Sequence, residues 1–322
     1  MADRRRTRLT SAPADIIAAI PGLLGYVPSE SIIAIGLDVD TVRLTARHDI
    51  AGTNVAAGHI AEVFKENQAT TAVVIAVSVD PEVGADATRI MRDALRRRGI
   101  ETTRRLHTPH CDERAPYIDH STGEVGTTAD YRNSPTSVGR IVDGHTIGAS
   151  RSAMRARLAT TDPITTNNIT PQPVLAAKAV VSAIAHAPTD VPRELSAQVA
   201  VLIRDNHRYR DALLRTAAYD PITATHVFTE LARPLRGRDR ANVLTIAAAM
   251  HYLAGDGTMA GIVLDTIAAE TPKDTQPPAL ARLLDAAQRT GMAPQALSGV
   301  IVPTASLADQ LFGGHFPTPD DV

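Results

Sequence analysis

The sequence predicts an α/β domain with a mixed, mostly parallel sheet, followed by an all-α domain of repeat-like helices. Three observations lead there. Short apolar runs of strand length, at residues 31–37 and 72–79, fall in the N-terminal third and are separated by helical periodicity. Strict alternation of apolar and polar residues occurs between them, over residues 42–50. From residue 174 onward the apolar residues recur at helical spacing, with short turns between segments.

The elements follow in order. Residues 1–10, with Arg4, Arg5, Arg6 and Arg8, read as a mobile, solvated basic arm. Ile16, Ile17, Ile20, Leu23 and Leu24 share one helical face. Pro21 interrupts that face, because its ring opposes the carbonyl four residues back, so two short helical pieces are expected. Gly25 suits a left-handed helix end, and Pro28-Ser29-Glu30 is turn chemistry. Residues 31–37 then form a strand that is apolar on both faces and therefore covered on both. Val42, Leu44, Ala46, His48 and Ile50 alternate with Arg43, Thr45, Arg47 and Asp49, giving a hairpin partner with one wet face. Thr53 or Asn54 opens a helix to about residue 67. Residues 72–79 form a second buried strand, stopped by Asp80-Pro81, and a helix over 82–98 closes at Gly99. A weaker strand covers 100–107. The order β-β-α-β-α-β implies the mostly parallel sheet.

Residues 108–148 carry no regular pattern and read as a long loop inside a domain spanning 11–159. Residues 151–158 read as a helix. Residues 160–173 are a linker by composition, and 174–302 are a helical bundle. Within the bundle, the turn at Gly255, the A-x-x-x-L spacing at residues 260–264 and Pro272 are similar to a tetratricopeptide unit. Residues 303–322, rich in Pro and Gly and acidic at the end, read as a flexible tail with Phe312 and Phe316 as short-motif anchors, with local docking on its own domain as the equal alternative.

One stretch carries a family likeness. The pattern P-x-L-L-G-Y-x-P-x-x-S is met by Pro21, Leu23, Leu24, Gly25, Tyr26, Pro28 and Ser31, just before a strand ending in Gly-Leu. GHTIGASR at 144–151, RDALL at 210–214, and YLAGDG followed by LARLLDAAQRTGMAP come after it in order. The chain thereby resembles the actinobacterial family called domain of unknown function 4192, over nearly its whole length. The resemblance implies a fold and a lineage but no activity.

Composition narrows the function. The formal net charge is −2, so no global field favours nucleic acid or a membrane surface. The single cysteine, Cys111, excludes an intrachain disulfide and suits a reducing compartment. No apolar run has the ~18 residues of a bilayer span. The basic N-terminus lacks a signal peptide's apolar core. A cytoplasmic location is expected, without membrane partners. The sequence carries no phosphate-binding loop, no G-x-G-x-x-G after a strand, no H-E-x-x-H and no G-x-S-x-G. No cofactor is called for.

Three sets of side chains are candidates for chemistry. Asp80 stands at the carboxyl end of a buried strand, where open α/β sheets place their sites, although Asp before Pro also caps a helix. His107, His110, Cys111 and Asp112, with Asp119 and His120 beyond, are of metal-ligating types. Their spacing is not that of a standard zinc site, and the family's usual Cys-Cys-Pro segment is reduced here to Cys111. Arg233, Arg236, Arg238 and Arg240 form a basic cluster at helix ends, where cations also suit the helix dipole. Aromatic residues total 3%, which offers few stacking partners for nucleic-acid bases. The leading expectation is a protein-binding or scaffold module with an unidentified protein partner. A hydrolase or nucleotide-binding enzyme with its site near Asp80 is the alternative. Nucleic-acid binding through the arginines is the third, and homo-oligomerisation is compatible with all of them.

Overall fold

A computed structural model describes residues 7–112, 114–187 and 191–322. The chain forms two compact units, Met1–Ala153 and Met154–Val322. Among the described residues no helix is long and apolar enough to cross a membrane.

The first unit holds α1 (Pro13–Leu24), β1 (Ser31–Asp38), β2 (Thr41–Asp49), α2 (Thr53–Glu66), β3 (Thr71–Val77), α3 (Pro81–Arg97), β4 (Glu101–Thr108), β5 (Pro116–Asp119), β6 (Val125–Thr127) and α4 (Pro135–Val142). The strands make one mixed sheet in the order β2-β1-β3-β4-β5-β6. The expected mostly parallel sheet is corrected: β3 with β4 is the one parallel pair among the described residues. The connection through α2 does run β2 and β3 in the same direction. It lands β3 beside β1, however, so β1 lies between them and both of its neighbours are antiparallel.

β1 and β3 are buried along nearly all their length, as continuous Ile, Val and Ala demand. Ile32, Ala34, Ala72, Val74 and Ala76 face a core built with Ile60, Phe64, Met91 and Leu95 of α2 and α3. By strand alternation Ile33, Ile35, Val73 and Ile75 point to the opposite face, and they too are fully buried. α1 packs on α4.

Three sequence expectations change here. α1 runs through Pro21 as one helix to Leu24, because burial of Ile16, Ile17, Ile20 and Leu24 outweighs the missing bond. Gly25 closes it at φ +81°, its N–H donating to the Pro21 carbonyl at 2.8 Å. Of the basic arm, residues 1–6 lie outside the described residues, Arg4, Arg5 and Arg6 among them. Residues 7–9 pair with the start of β2 through Leu9 N–H to Asp40 O and Val42 N–H to Thr7 O, both 2.8 Å, and Arg8 is salt-bridged to Asp40. The 108–148 loop contains the β5–β6 hairpin and α4. Strands of four and three residues are too short to display alternation.

Residues 151–156 form a helix, α5 (Arg151–Ala156). The second unit then holds α6 (Pro173–His186), α7 (Arg193–Asp205), α8 (His207–Leu213), α9 (Pro221–Ala232), α10 (Gly237–Leu253), α11 (Gly257–Glu270), α12 (Ala279–Arg289), α13 (Pro294–Ile301) and α14 (Ala305–Phe312). α10 is its axis. Residues around the whole circumference of α10 are buried, and α7, α9, α11, α12 and α13 pack against it. Residues 160–172 have no regular structure but are tied down, with Thr161 N–H donating to Arg233 O and Ile164 N–H to Pro234 O, each at 3.0 Å. The tail expected to be flexible instead forms α14 and a final turn, with Phe312 and Phe316 buried. Aromatic burial supplies what its Pro-Gly composition conceals.

Candidate functional site

β2, β3 and β4 finish at one end of the sheet, where β1 begins, and polar side chains gather there. Ser78, fully buried just past β3, donates its hydroxyl to Glu30 Oε2 at 2.9 Å and accepts Asp80 N–H at 3.2 Å. Glu30 Oε1 accepts Val79 N–H at 3.0 Å. Glu30 itself is in the left-handed region, φ +39°, a conformation non-glycine residues adopt only when neighbours hold them. Asp80 Oδ1 accepts from Glu82 N–H at 2.9 Å and Val83 N–H at 3.3 Å, so its carboxylate caps α3. His107 lies beside this knot. Its Nε2–H donates to Ser78 O at 2.9 Å, and its ring lies against Gly84, where any side chain would collide with it.

A second group adjoins the start of β1. Arg47 donates from Nε to Ser31 Oγ at 2.8 Å and pairs with Asp49 at 2.6 Å; Ser31 Oγ donates to Ser29 O at 2.6 Å. Tyr26 is buried nearby, and burial raises its phenol pKa against the opposing pull of Arg47 and Arg151. Tyr26 bridges Gly148 in parallel fashion, with Val27 N–H to Gly148 O at 3.0 Å and Gly148 N–H to Gly25 O at 2.8 Å. The two family-like motifs, more than a hundred residues apart, thus meet at the backbone.

Chemically this end of the sheet is a set of satisfied structural bonds. Asp80 serves a helix, His107 a carbonyl and Ser78 a carboxylate that holds β1 to β3. We expect Asp80→Ala to cost about 0.5–2 kcal/mol, the usual loss of a helix cap. Urea unfolding should show the decrease, and Asp80→Asn should recover most of it. Sequence reasoning missed Glu30, Ser78 and Arg47. The available signal was a serine closing an apolar strand and an arginine in an alternating one.

The metal-type residues are not brought together. His110 and Asp112 are exposed, 3.5 Å apart. Cys111 points inward, and burial pushes its thiol up to about 12. His107 is turned to Ser78, and its ring centroid lies 6.3 Å from that of His120. Asp119 is fully buried against Arg104 at 2.8 Å and Ser121 N–H at 2.8 Å, which hold its carboxyl below the usual range despite burial. Among the described residues no group of three or more His, Cys, Asp or Glu is arranged to hold a metal ion.

The arginine cluster is largely engaged within its unit. Arg233 donates to Ala159 O at 3.1 Å and pairs with Glu230 at 2.9 Å. Arg236 donates to Leu235 O at 2.7 Å and also to Thr161 O. Arg240, 2% exposed, donates to Glu270 Oε2 and Ala232 O, each at 2.8 Å, and to Leu158 O at 2.5 Å. Arg238 is exposed. The cluster fastens residues 158–161 to α9 and α10.

A different feature of this unit is open. α6 and α7 leave between them a groove of about 600 Å³, lined by Leu175, Ala176, Ala179, Ala183 and Leu195, with Glu194 as its one acidic residue among the described residues. Val174 and Leu175 at its α6 end are more than half exposed.

The family model for a domain of unknown function (DUF4192) matches residues 13–295. No curated protein and no solved structure matches the chain.

Proposed function

Because the chain belongs to the DUF4192 family, for which no activity is defined, its function has to be argued from geometry, and we propose that it is a protein-binding module. Its helical unit takes an apolar-faced helix of a partner protein in the groove between α6 and α7. The carrying observation is the groove itself. Its lining runs along α6 from Leu175 to His186, about 16 Å at 1.5 Å per residue, which is three turns of a docked helix. Alanines along this line let a second backbone approach closely, and the exposed Leu175 offers apolar area to bury. Glu194 favours a partner with a basic residue at that end. The tetratricopeptide-like reading of the unit belongs to the same proposal, since helix-in-groove docking is what such bundles do. The lone buried cysteine suits a reducing compartment, so the proposed setting is the cytoplasm.

The rival readings have less support, since Asp80 caps α3 and Arg233, Arg236 and Arg240 bond carbonyls and carboxylates, whereas Arg238 is exposed. The test is capture of partners on the immobilised full-length protein, compared with Leu175→Asp and Ala179→Glu. A partner recovered by the unaltered protein should fall at least tenfold with either groove variant and be unchanged with Asp80→Ala. No stoichiometric partner, or one indifferent to the groove, would overturn the reading.

A further inference from the structure

We propose that residues 304–322 are a displaceable ligand, bound in cis, of the face formed by α8 and the turn at Leu214–Ala218, and that this face recognises short helices of the same chemistry. That chemistry is a glycine-closed helix with one aromatic side chain before the glycine, one after it, and carboxylates trailing.

Four observations carry this. The chain has no Trp and four Phe, and two of the four are spent here. Tyr209 of α8 meets Phe312 edge to face at 5.8 Å, and Phe312 meets Phe316 in the same way at 5.4 Å. These rings anchor the segment as aromatic residues anchor interfaces. Second, the receiving face holds the segment mainly by its backbone. Arg208 donates to Gln310 O and Arg215 to Pro303 O, each at 3.2 Å, and Tyr219 OH donates to Pro317 O at 3.1 Å. Donors aimed at carbonyls accept any sequence that presents the same fold.

Third, the segment organises itself. Thr304 caps α14 at Leu307 N–H, and Gly313 closes it at φ +81°. Asp309 Oδ1 accepts Phe316 N–H at 2.8 Å, and Thr318 with Asp321 forms a capping box for the last turn, to which His315 adds a 3.0 Å contact. A segment carrying its own caps loses little entropy on docking. Fourth, the charges are complementary. The segment carries Asp309, Asp320 and Asp321 against His315, whereas the face carries Arg208, Arg210 and Arg215 against Asp211. The family match ends at residue 295, before this segment, while the receiving face lies inside it. The last turn of the segment also packs on α6, one wall of the groove described above, but the ring and carbonyl contacts that carry the inference lie on α8, the Leu214–Ala218 turn and Tyr219.

The experiment has two arms on full-length protein. In native-state hydrogen exchange, amides of 305–317 and of 207–219 should exchange together, at least a hundredfold faster than those of α10. Tail amides as protected as α10 would make the segment integral core, and tail amides exchanging like a free peptide would mean no docking; either overturns the proposal. In the second arm a fluorescent peptide of residues 303–322 is titrated against the unaltered protein and against Phe312→Ala/Phe316→Ala. The double variant should keep α10 protection and bind the peptide at least tenfold more tightly than the unaltered protein, whose face is already filled at high effective concentration. Binding should weaken with salt. Equal or absent binding, or loss of α10 protection in the variant, would overturn the proposal.

Discussion

Replacing Arg240 by alanine is expected to destabilise the helical unit by about 2–4 kcal/mol, chiefly the cost of taking a buried donor from buried acceptors and leaving a cavity. The guanidinium is 2% exposed and donates in three directions: to Glu270 at the end of α11, to Ala232 O at the end of α9, and to Leu158 O. Truncation leaves the Leu158 carbonyl without its donor, leaves Ala232 O with the Leu235 N–H alone at 3.2 Å, and opens a cavity; an unmet buried acceptor costs on the order of 1–3 kcal/mol. Glu270 is 39% exposed on its side chain, so water can take over part of that bond. The loss is therefore weighted toward the carbonyls. Arg240→Lys keeps the charge but reaches one partner at a time, and should recover less than half. Glu270→Gln should cost much less than Arg240→Ala. Because the chain has two units, one global midpoint would mix them. Hydrogen exchange resolved to residues 158–161, 230–233 and 266–270 should report the decrease there and leave β1 and β3 unchanged. A loss below about 1 kcal/mol, the level of a surface pair, would reassign Arg240 to a dispensable contact.

Arg240 also shows where sequence reading reaches its limit. In the sequence it is one of several arginines around a helix start, indistinguishable from Arg238, which is exposed. Burial is decided by which carbonyls the fold brings near, and no periodicity in α10 marks it, since that helix is apolar almost all round. Continuous apolar runs, by contrast, made β1 and β3 legible, alternation made β2 legible, and Asp-Pro made the starts of α3 and α9 legible. The direction of the strand pairs was not, because composition does not say that β1 would separate β2 from β3. Asp80 was legible as a residue at a strand end. That its carboxylate caps α3 depends on two N–H groups within reach, a matter of geometry. The Glu30–Ser78 knot was illegible because its members are 48 residues apart and neither is of an unusual type. Of the tail, Phe312 and Phe316 were recognisable as anchors, but that they dock on Tyr209 is tertiary information.

The same substitution should act with opposite signs on the two helices that pack together in the first unit. Gly139 of α4 has open space where a Cβ would stand. Gly139→Ala should stabilise by about 0.5–1 kcal/mol through helix propensity and a less flexible unfolded chain. Gly22 of α1 is also helical, so propensity alone predicts the same gain. There, however, a Cβ would fall 2.5 Å from Ser137 N and from the Thr136 carbonyl carbon, both backbone atoms that no rotamer change can move. Thr136 Oγ1 donates to Ala19 O at 2.9 Å across the same crossing, so α4 is held to α1 by a bond that separation would stretch. Overpacking against backbone should outweigh propensity and leave Gly22→Ala destabilised by about 1–3 kcal/mol. Thermal unfolding of the two variants side by side checks this. Opposite shifts would show that the close approach of α1 and α4 makes Gly22 obligatory, although the family-like pattern leaves that position free. A stabilised Gly22→Ala would mean that α4 gives way at little cost, and that the crossing does not hold the bridge between Tyr26 and Gly148 in place.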